Sequence, residues 1–380
     1  MGIGNIVKRL NDVMWKDDGV AGDAQRLEQI VWILFLKVYD DKEKLWEFHD
    51  SNFKSILPEE LRWRNWAVDK KDGNALTGEE LLSFVNEKLF PGIEKLDINE
   101  NTPISKAIVK YTFDDVNNYM KNGILLRQVI NIIDEIKFTN SNEKHEFNEI
   151  YETMLKELQS AGNAGEFYTP RPVTNFMVEM INPSLKDKIA DFACGTGGFL
   201  TSTLDYLKNQ VKTVEDKELY DNSIYGIEKK SLPYLLCITN LLLHDIDEPN
   251  IEHRNSFDRN VKDYKENEKY DVVLMNPPYG GHEVKNIQAN FPSNLRGSET
   301  FDLFMTLIMY RLKQDGRCAV ILPDGFLFGV DNTKVNIKEK LMKDFNLHTI
   351  VRMPSSVFAP YTSITTNILF FDKTKPTDKV

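Results

Sequence analysis

Apolar residues recur at helical spacing twice in the first part of the chain. Leu27, Ile30, Val31, Leu34, Val38 and Leu45 form one stripe, and Ile124, Leu125, Val129, Ile132, Ile133 and Ile136 form another, ahead of an acidic stretch that ends at Glu152. Residues three and four apart share one face of a helix, so both stripes predict amphipathic helices packed into a bundle. A small-residue run, Ser160-Ala-Gly-Asn-Ala-Gly165, then breaks the pattern and reads as a hinge. Beyond it, short apolar or β-branched runs alternate with helical segments. Candidate strands are Lys188–Ala193, Ser223–Ile227, Asp271–Met275, Arg317–Leu322, His348–Met353 and Asn367–Phe371. Strands alternating with helices predict a parallel α/β sheet wound on both faces. The expected organisation is a helical domain over 1–155 and an α/β domain over 156–380.

Composition adds exclusions. The chain is 41% hydrophobic and 28% charged, and its longest apolar run, Ile30 to Leu36, is closed by Lys37. A membrane span needs roughly 20 apolar residues, so none is expected. The N-terminus lacks the layout of a secretion signal, which makes the cytoplasm the expected location. Three cysteines, Cys194, Cys237 and Cys318, and six histidines show no metal-ligand spacing, so no catalytic metal is expected. The net charge of −11 is unlike a stand-alone nucleic-acid binder, whose basic footprint releases phosphate counterions. A chain so acidic either gathers its cations on one face or borrows affinity from a partner, and the partner is favoured here.

Two elements point to a cofactor. Asp191-Phe-Ala-Cys-Gly-Thr-Gly-Gly-Phe-Leu200 falls where a strand ends and a helix begins. Its glycines permit a tight turn and close backbone approach to a ligand. The spacing Gly195-Thr196-Gly197-Gly198 is short of the full dinucleotide fingerprint, and Asp191 would repel a pyrophosphate yet suits an ammonium or sulfonium. Glu228 ends the next strand, where a carboxylate accepts ribose hydroxyls. The interval between the two exceeds the usual 20 or so residues, and the polar segment Asn209 to Asp221 reads as the loop insertion responsible.

The motif with the most specific chemistry is Asn276-Pro277-Pro278-Tyr279, directly after the apolar run Val272 to Met275. Alkylating an exocyclic amine requires drawing its lone pair out of the ring. Two acceptors for its two N–H bonds do so, and they stabilise the positive charge that develops. The Asn276 side-chain oxygen and the Pro277 carbonyl supply that pair, and the consecutive prolines hold the loop rigid. Tyr279 offers a ring face to a base taken out of the helix.

In order and wording these motifs resemble adenine-N6 DNA methyltransferases of the gamma motif order. More narrowly, they resemble the modification (M) subunit of type I restriction–modification systems. The resemblance implies a Rossmann-like, seven-stranded, S-adenosylmethionine-dependent methyltransferase domain preceded by an all-α N-terminal domain. Gly165-Glu-Phe-Tyr-Thr-Pro-Arg-Pro-Val173 looks like the family's entry motif, in which Phe167, Tyr168, Thr169 and the nearby backbone would hold the methionine carboxylate. Asp191, Ala193, Gly195, Thr196, Gly197 and Gly198 match its cofactor loop, and Glu228 its ribose-binding acid. Asn255 and Ser256 fall where the family holds the cofactor's adenine, although an Asp is usual at the first position. Asn276 to Tyr279 match the catalytic tetrapeptide, with Asn276 also facing the cofactor. Val357-Phe-Ala-Pro360 resembles the segment whose aromatic sandwiches the flipped base, which makes Phe358 the candidate and Tyr361 the substitute. The implied partners are double-stranded DNA, a specificity (S) subunit, a second M subunit and, where present, the restriction (R) subunit. Family members usually continue past the last strand with a helical tail that docks on the S subunit. This chain stops at Val380, which implies truncation or a short gene product and bears on assembly.

Other readings differ in what they leave unexplained. C5-cytosine transfer needs a cysteine nucleophile, normally after proline, and Ala193, Leu236 and Arg317 precede the three cysteines. N4-cytosine transfer faces the same amine problem, and the tetrapeptide also resembles the loop of protein-glutamine and ribosomal-RNA methyltransferases. A nicotinamide dehydrogenase would leave Asn276 to Tyr279 without a role. A scaffold that has lost activity would leave every chemical position occupied without reason.

Overall fold

The computed structural model describes residues 3–113, 115–136, 168–359 and 362–380. The expected hinge at 160–165, the 155/156 boundary and the acidic stretch ending at Glu152 lie outside them. The chain forms two compact units, one of Met1–Ala164 with Ser231–Pro249, the other of Gly165–Lys230 with Asn250–Val380.

In the first unit the helix Asp23–His49 carries the first apolar stripe. Its centre is buried on every side from Ile30 to Leu36, which explains why the sequence there is continuously apolar rather than striped. Lys42, on the same helix, reaches Asp245 at 2.8 Å and Asp247 at 3.0 Å. The helix Gly123–Asp134 carries the second stripe and is capped by the Asn122 side chain, which accepts from the N–H groups of Ile124 and Leu125. Val129, Ile132 and Ile133 point inward, whereas Ile124 is 58% exposed.

The second unit is built on a seven-stranded sheet in the order β3-β2-β1-β4-β5-β7-β6. The strands are β1 (Ile189–Asp191), β2 (Ile224–Glu228), β3 (Ile251–His253), β4 (Tyr270–Met275), β5 (Leu312–Pro323), β6 (Asn346–Arg352) and β7 (Thr366–Asp372). β3 was not among the candidate strands. The sheet is also not wholly parallel, because β7 runs antiparallel to both β5 and β6. The described residues between β6 and β7 contain no helix, so nothing carries the chain back across the sheet, as a parallel pairing requires. The segment read as a loop insertion holds the helix Val214–Asp221, started by a capping box between Thr213 and Asp216.

The central strands are buried on both faces, which accounts for their unbroken apolar sequences. Val273 and Met275 of β4 join the core under the helix Thr300–Arg311. Val272 and Leu274 alternate to the other face, the face of the helices Arg171–Ile181 and Gly198–Lys208, which pack on each other. β1 and β4 are neighbours at the point where the strand order reverses. In open α/β sheets ligands bind beyond the carboxyl ends of the strands at such a point. Asp191 and Asn276 stand there.

Candidate active site

After β1 the chain must turn sharply into the helix Gly198–Lys208. It does so through Gly195 (φ +54°) and Gly197 (φ +80°), left-handed conformations that cost a glycine little. The Asp191 carboxylate, 1% exposed, supports the turn by accepting from the Ala193 N–H at 3.0 Å. Glu228, at the end of β2, accepts from the Gly195 N–H at 2.9 Å and the Lys230 N–H at 2.7 Å. Its two oxygens keep further lone pairs for a ligand.

Both carboxyls sit out of water. Burial, reinforced by the neighbouring Glu228, pushes Asp191 up to about 8 despite the Ala193 hydrogen bond. Burial likewise raises Glu228, against the pull of the Lys230 and Gly195 N–H groups. Two desolvated acids side by side make a site that favours positive charge.

Asn276, half-buried at the end of β4, is held from both sides. Its Nδ2 donates to the Thr169 hydroxyl at 3.0 Å, and its Oδ1 accepts from the Tyr279 hydroxyl. The loop that follows is tied down by Thr300, whose hydroxyl donates to the Pro278 carbonyl at 3.0 Å and whose N–H donates to the Gly281 carbonyl at 3.0 Å.

These pieces surround one cavity of ≈ 360 Å³, lined by Ala193, Gly195, Glu228, Asn255, Ser256, Asn276, Pro278 and Tyr279 among others. Eight residues singled out from sequence thus converge. The Asn255 side chain accepts from the Phe257 N–H at 3.1 Å, and the Ser256 hydroxyl donates to the Phe192 carbonyl. The first shapes the turn after β3, and the second straps that turn to the Asp191 loop. Asp191, Thr196, Gly197, Gly198 and Pro277 do not line it, and Tyr168 and Thr169 are buried just ahead of the helix Arg171–Ile181. Phe358, 3% exposed, is not brought to the cavity. Phe167, Pro360 and Tyr361 lie outside the described residues.

Sequence reasoning missed several supporting residues. Thr300 lies far along the chain and carries no motif of its own. Arg171, inside the entry motif, donates to the Gly198 carbonyl at 3.0 Å and to the hydroxyls of Thr201 and Ser202, which locks that segment onto the helix Gly198–Lys208. Glu283 lines the cavity and pairs with Lys229 at 3.2 Å. A larger cavity of ≈ 620 Å³, lined in part by Arg254, Arg259 and Arg311, holds none of the predicted site residues.

Residues 142–380 match the family described as N-6 DNA Methylase, and residues 3–133 match the HsdM N-terminal domain. The chain is 50% identical over 386 residues to the type I restriction enzyme EcoEI methylase subunit of Escherichia coli, covering all of this chain and 77% of that protein. Its structure resembles that of a modification subunit of a putative type I restriction enzyme from Vibrio vulnificus YJ016. There the TM-score is 0.86 at 43% identity, over 99% of this chain and 82% of the other. It also resembles a chain from work on complex assembly and conformational transition of the type I R-M system. In that case the TM-score is 0.87 at 34% identity, over 99% and 75% of the two chains.

Proposed function

The chain belongs to the N-6 DNA methylase family, and on that premise we propose that it methylates adenine N6 in DNA at the cavity where the Asp191 and Asn276 loops meet. The observation that carries this assignment is that Asn276 and the buried acid Glu228 line one cavity, with Asp191 at the end of the strand paired to that of Asn276.

The residues fit S-adenosylmethionine. A cavity of ≈ 360 Å³ lies in the size range of small-molecule sites, and its buried carboxylates suit a cationic ligand that carries ribose hydroxyls. When bound, this cofactor supplies an electrophilic methyl, whose transfer forms an N–C bond as the C–S bond breaks. Glu228 accepts the ribose hydroxyls, and Asn255 and Ser256 stand at the adenine end. Gly195, Thr196 and Gly197 let the backbone approach. Phe167, Tyr168 and Thr169 hold the carboxylate end.

Asn276 Oδ1 and the Pro277 carbonyl accept the two N–H bonds of the target amine. They draw its lone pair out of the ring and stabilise the cationic nitrogen as it forms. That nitrogen is then acidic enough to lose its proton without a strong base. Pro277 and Pro278 keep the acceptors in place, and Tyr279 stacks on the flipped base.

The acidic balance of the chain, −11, supports DNA affinity and sequence choice that come from a complex with a specificity subunit, a second copy of this subunit and, where present, a restriction subunit. Tritiated cofactor offered with duplex DNA, release factor and ribosomal RNA tests the substrate class. Label goes to DNA on this reading, and label confined to protein or RNA overturns it.

A further inference from the structure

An asparagine amide is nearly the same shape either way round, but only one way round serves an amine. With Oδ1 inward it accepts the amine's N–H. With Nδ2 inward it sets donor against donor. Something must therefore choose, and among the described residues the hydrogen-bond partners of the amide are hydroxyls, Thr169 at Nδ2 and Tyr279 at Oδ1. A hydroxyl can donate or accept, so the Thr169 hydroxyl does not fix the amide by itself. Thr169 fixes it only when its own proton is committed elsewhere.

Thr169 is 9% exposed and precedes the helix Arg171–Ile181, which Arg171 ties to the cofactor helix through the Gly198 carbonyl. Building on the reading above, in which this segment holds the cofactor's carboxylate, we infer that Thr169 relays cofactor binding to Asn276. The Thr169 hydroxyl donates its proton to the carboxylate, which leaves only lone pairs for Asn276. Nδ2 must then point at Thr169, and Oδ1 at the amine. Thr169 is thus a positioning residue, and the carboxylate, remote from the transferred methyl, prepares the acceptor. Without the carboxylate the hydroxyl can accept from Nδ2 or donate to Oδ1, and Thr169 no longer sets which way the amide faces.

The test separates rate from binding in the assembled enzyme. Wild type with decarboxylated S-adenosylmethionine at saturation should transfer methyl about tenfold or more slowly in a single turnover, because a misplaced acceptor costs rate even when every site is filled. Thr169→Val should show a comparable loss with the normal cofactor, and Thr169→Ser should restore the rate to within a few-fold. The two losses should not add, since both interrupt one chain of hydrogen bonds. Titration calorimetry supplies a readout without turnover. Wild type should prefer S-adenosylhomocysteine to its decarboxylated analogue, and Thr169→Val should lose much of that preference.

Equal saturated rates with the two methyl donors in wild type would overturn the relay and leave Thr169 a simple binding contact. That comparison needs no variant, so misfolding of Thr169→Val does not blunt it. The underlying reading fails differently, through a wild-type enzyme that puts no methyl on DNA adenine or an Asn276→Ala variant that still does.

Discussion

The Gly195 N–H donates to the Glu228 carboxylate at 2.9 Å, which joins the turn after β1 to the end of the neighbouring strand. The other oxygen of Glu228 takes the Lys230 N–H at 2.7 Å. One side chain therefore shapes the turn while also lining the cavity.

Replacing Glu228 with Gln puts an NH2 group where one of these backbone donors expects an acceptor. Hydrogen bonds to charged groups contribute roughly 1.5–3 kcal/mol, so cofactor affinity should fall about tenfold to a hundredfold. Calorimetric titration with S-adenosylhomocysteine measures it, and unchanged affinity would remove Glu228 from the cofactor site.

The raised acids give a pH dependence with a definite sign. Asp191 moves from 3.8 to about 8 on folding, so between those values the folded chain holds more protons than the unfolded one. Its contribution to stability is present at low pH and declines as pH rises through that window. Affinity for the cationic cofactor should move the opposite way and increase from pH 6 to 8, by at most about tenfold per unit. In Asp191→Asn the rise should be smaller, with Glu228, also raised by burial, supplying what remains. Flat wild-type affinity over that range would contradict the assignment.

Thr300→Val removes the hydroxyl that holds the Pro278 carbonyl and keeps the volume. Loosening the catalytic loop should lower single-turnover methyl transfer about tenfold to a hundredfold with little change in cofactor affinity. Loss of affinity with normal turnover at saturation would place Thr300 in the wrong role.

Arg171→Ala cuts the bonds from the entry segment to Gly198, Thr201 and Ser202. A loss of roughly 1.5–3 kcal/mol is expected, seen as a lower unfolding midpoint together with weaker cofactor binding. A variant as stable as wild type would show that the helices Arg171–Ile181 and Gly198–Lys208 hold together without it.

The chemistry was legible where it is local. Asp191 and Asn276 each follow a short apolar run, and the residue types beside them are those a turn, a ligand or an amine requires. Three features were hidden for physical reasons. β3 is three residues, Ile251–His253, at the sheet edge, and only its pairing with β2 makes it a strand. The direction of β7 is not encoded in its own residues, because Thr366–Asp372 reads alike either way; the signal was the lack of a helix among the described residues before it. Thr300 and Arg171 act through bonds to residues distant in sequence. The helix Val214–Asp221 was readable in principle, because Thr213 and Asp216 have the spacing of a capping box. Phe358 matched a motif, yet the structure buries its ring.

The most direct measurement is nucleoside mass spectrometry of duplex DNA methylated by the assembled enzyme, with wild type set against Asn276→Ala. Wild type should yield N6-methyladenine. Asn276→Ala should yield none at saturating cofactor, while binding S-adenosylhomocysteine with nearly wild-type affinity. N4-methylcytosine as the product, or N6-methyladenine formed at the wild-type rate by Asn276→Ala, would contradict the account.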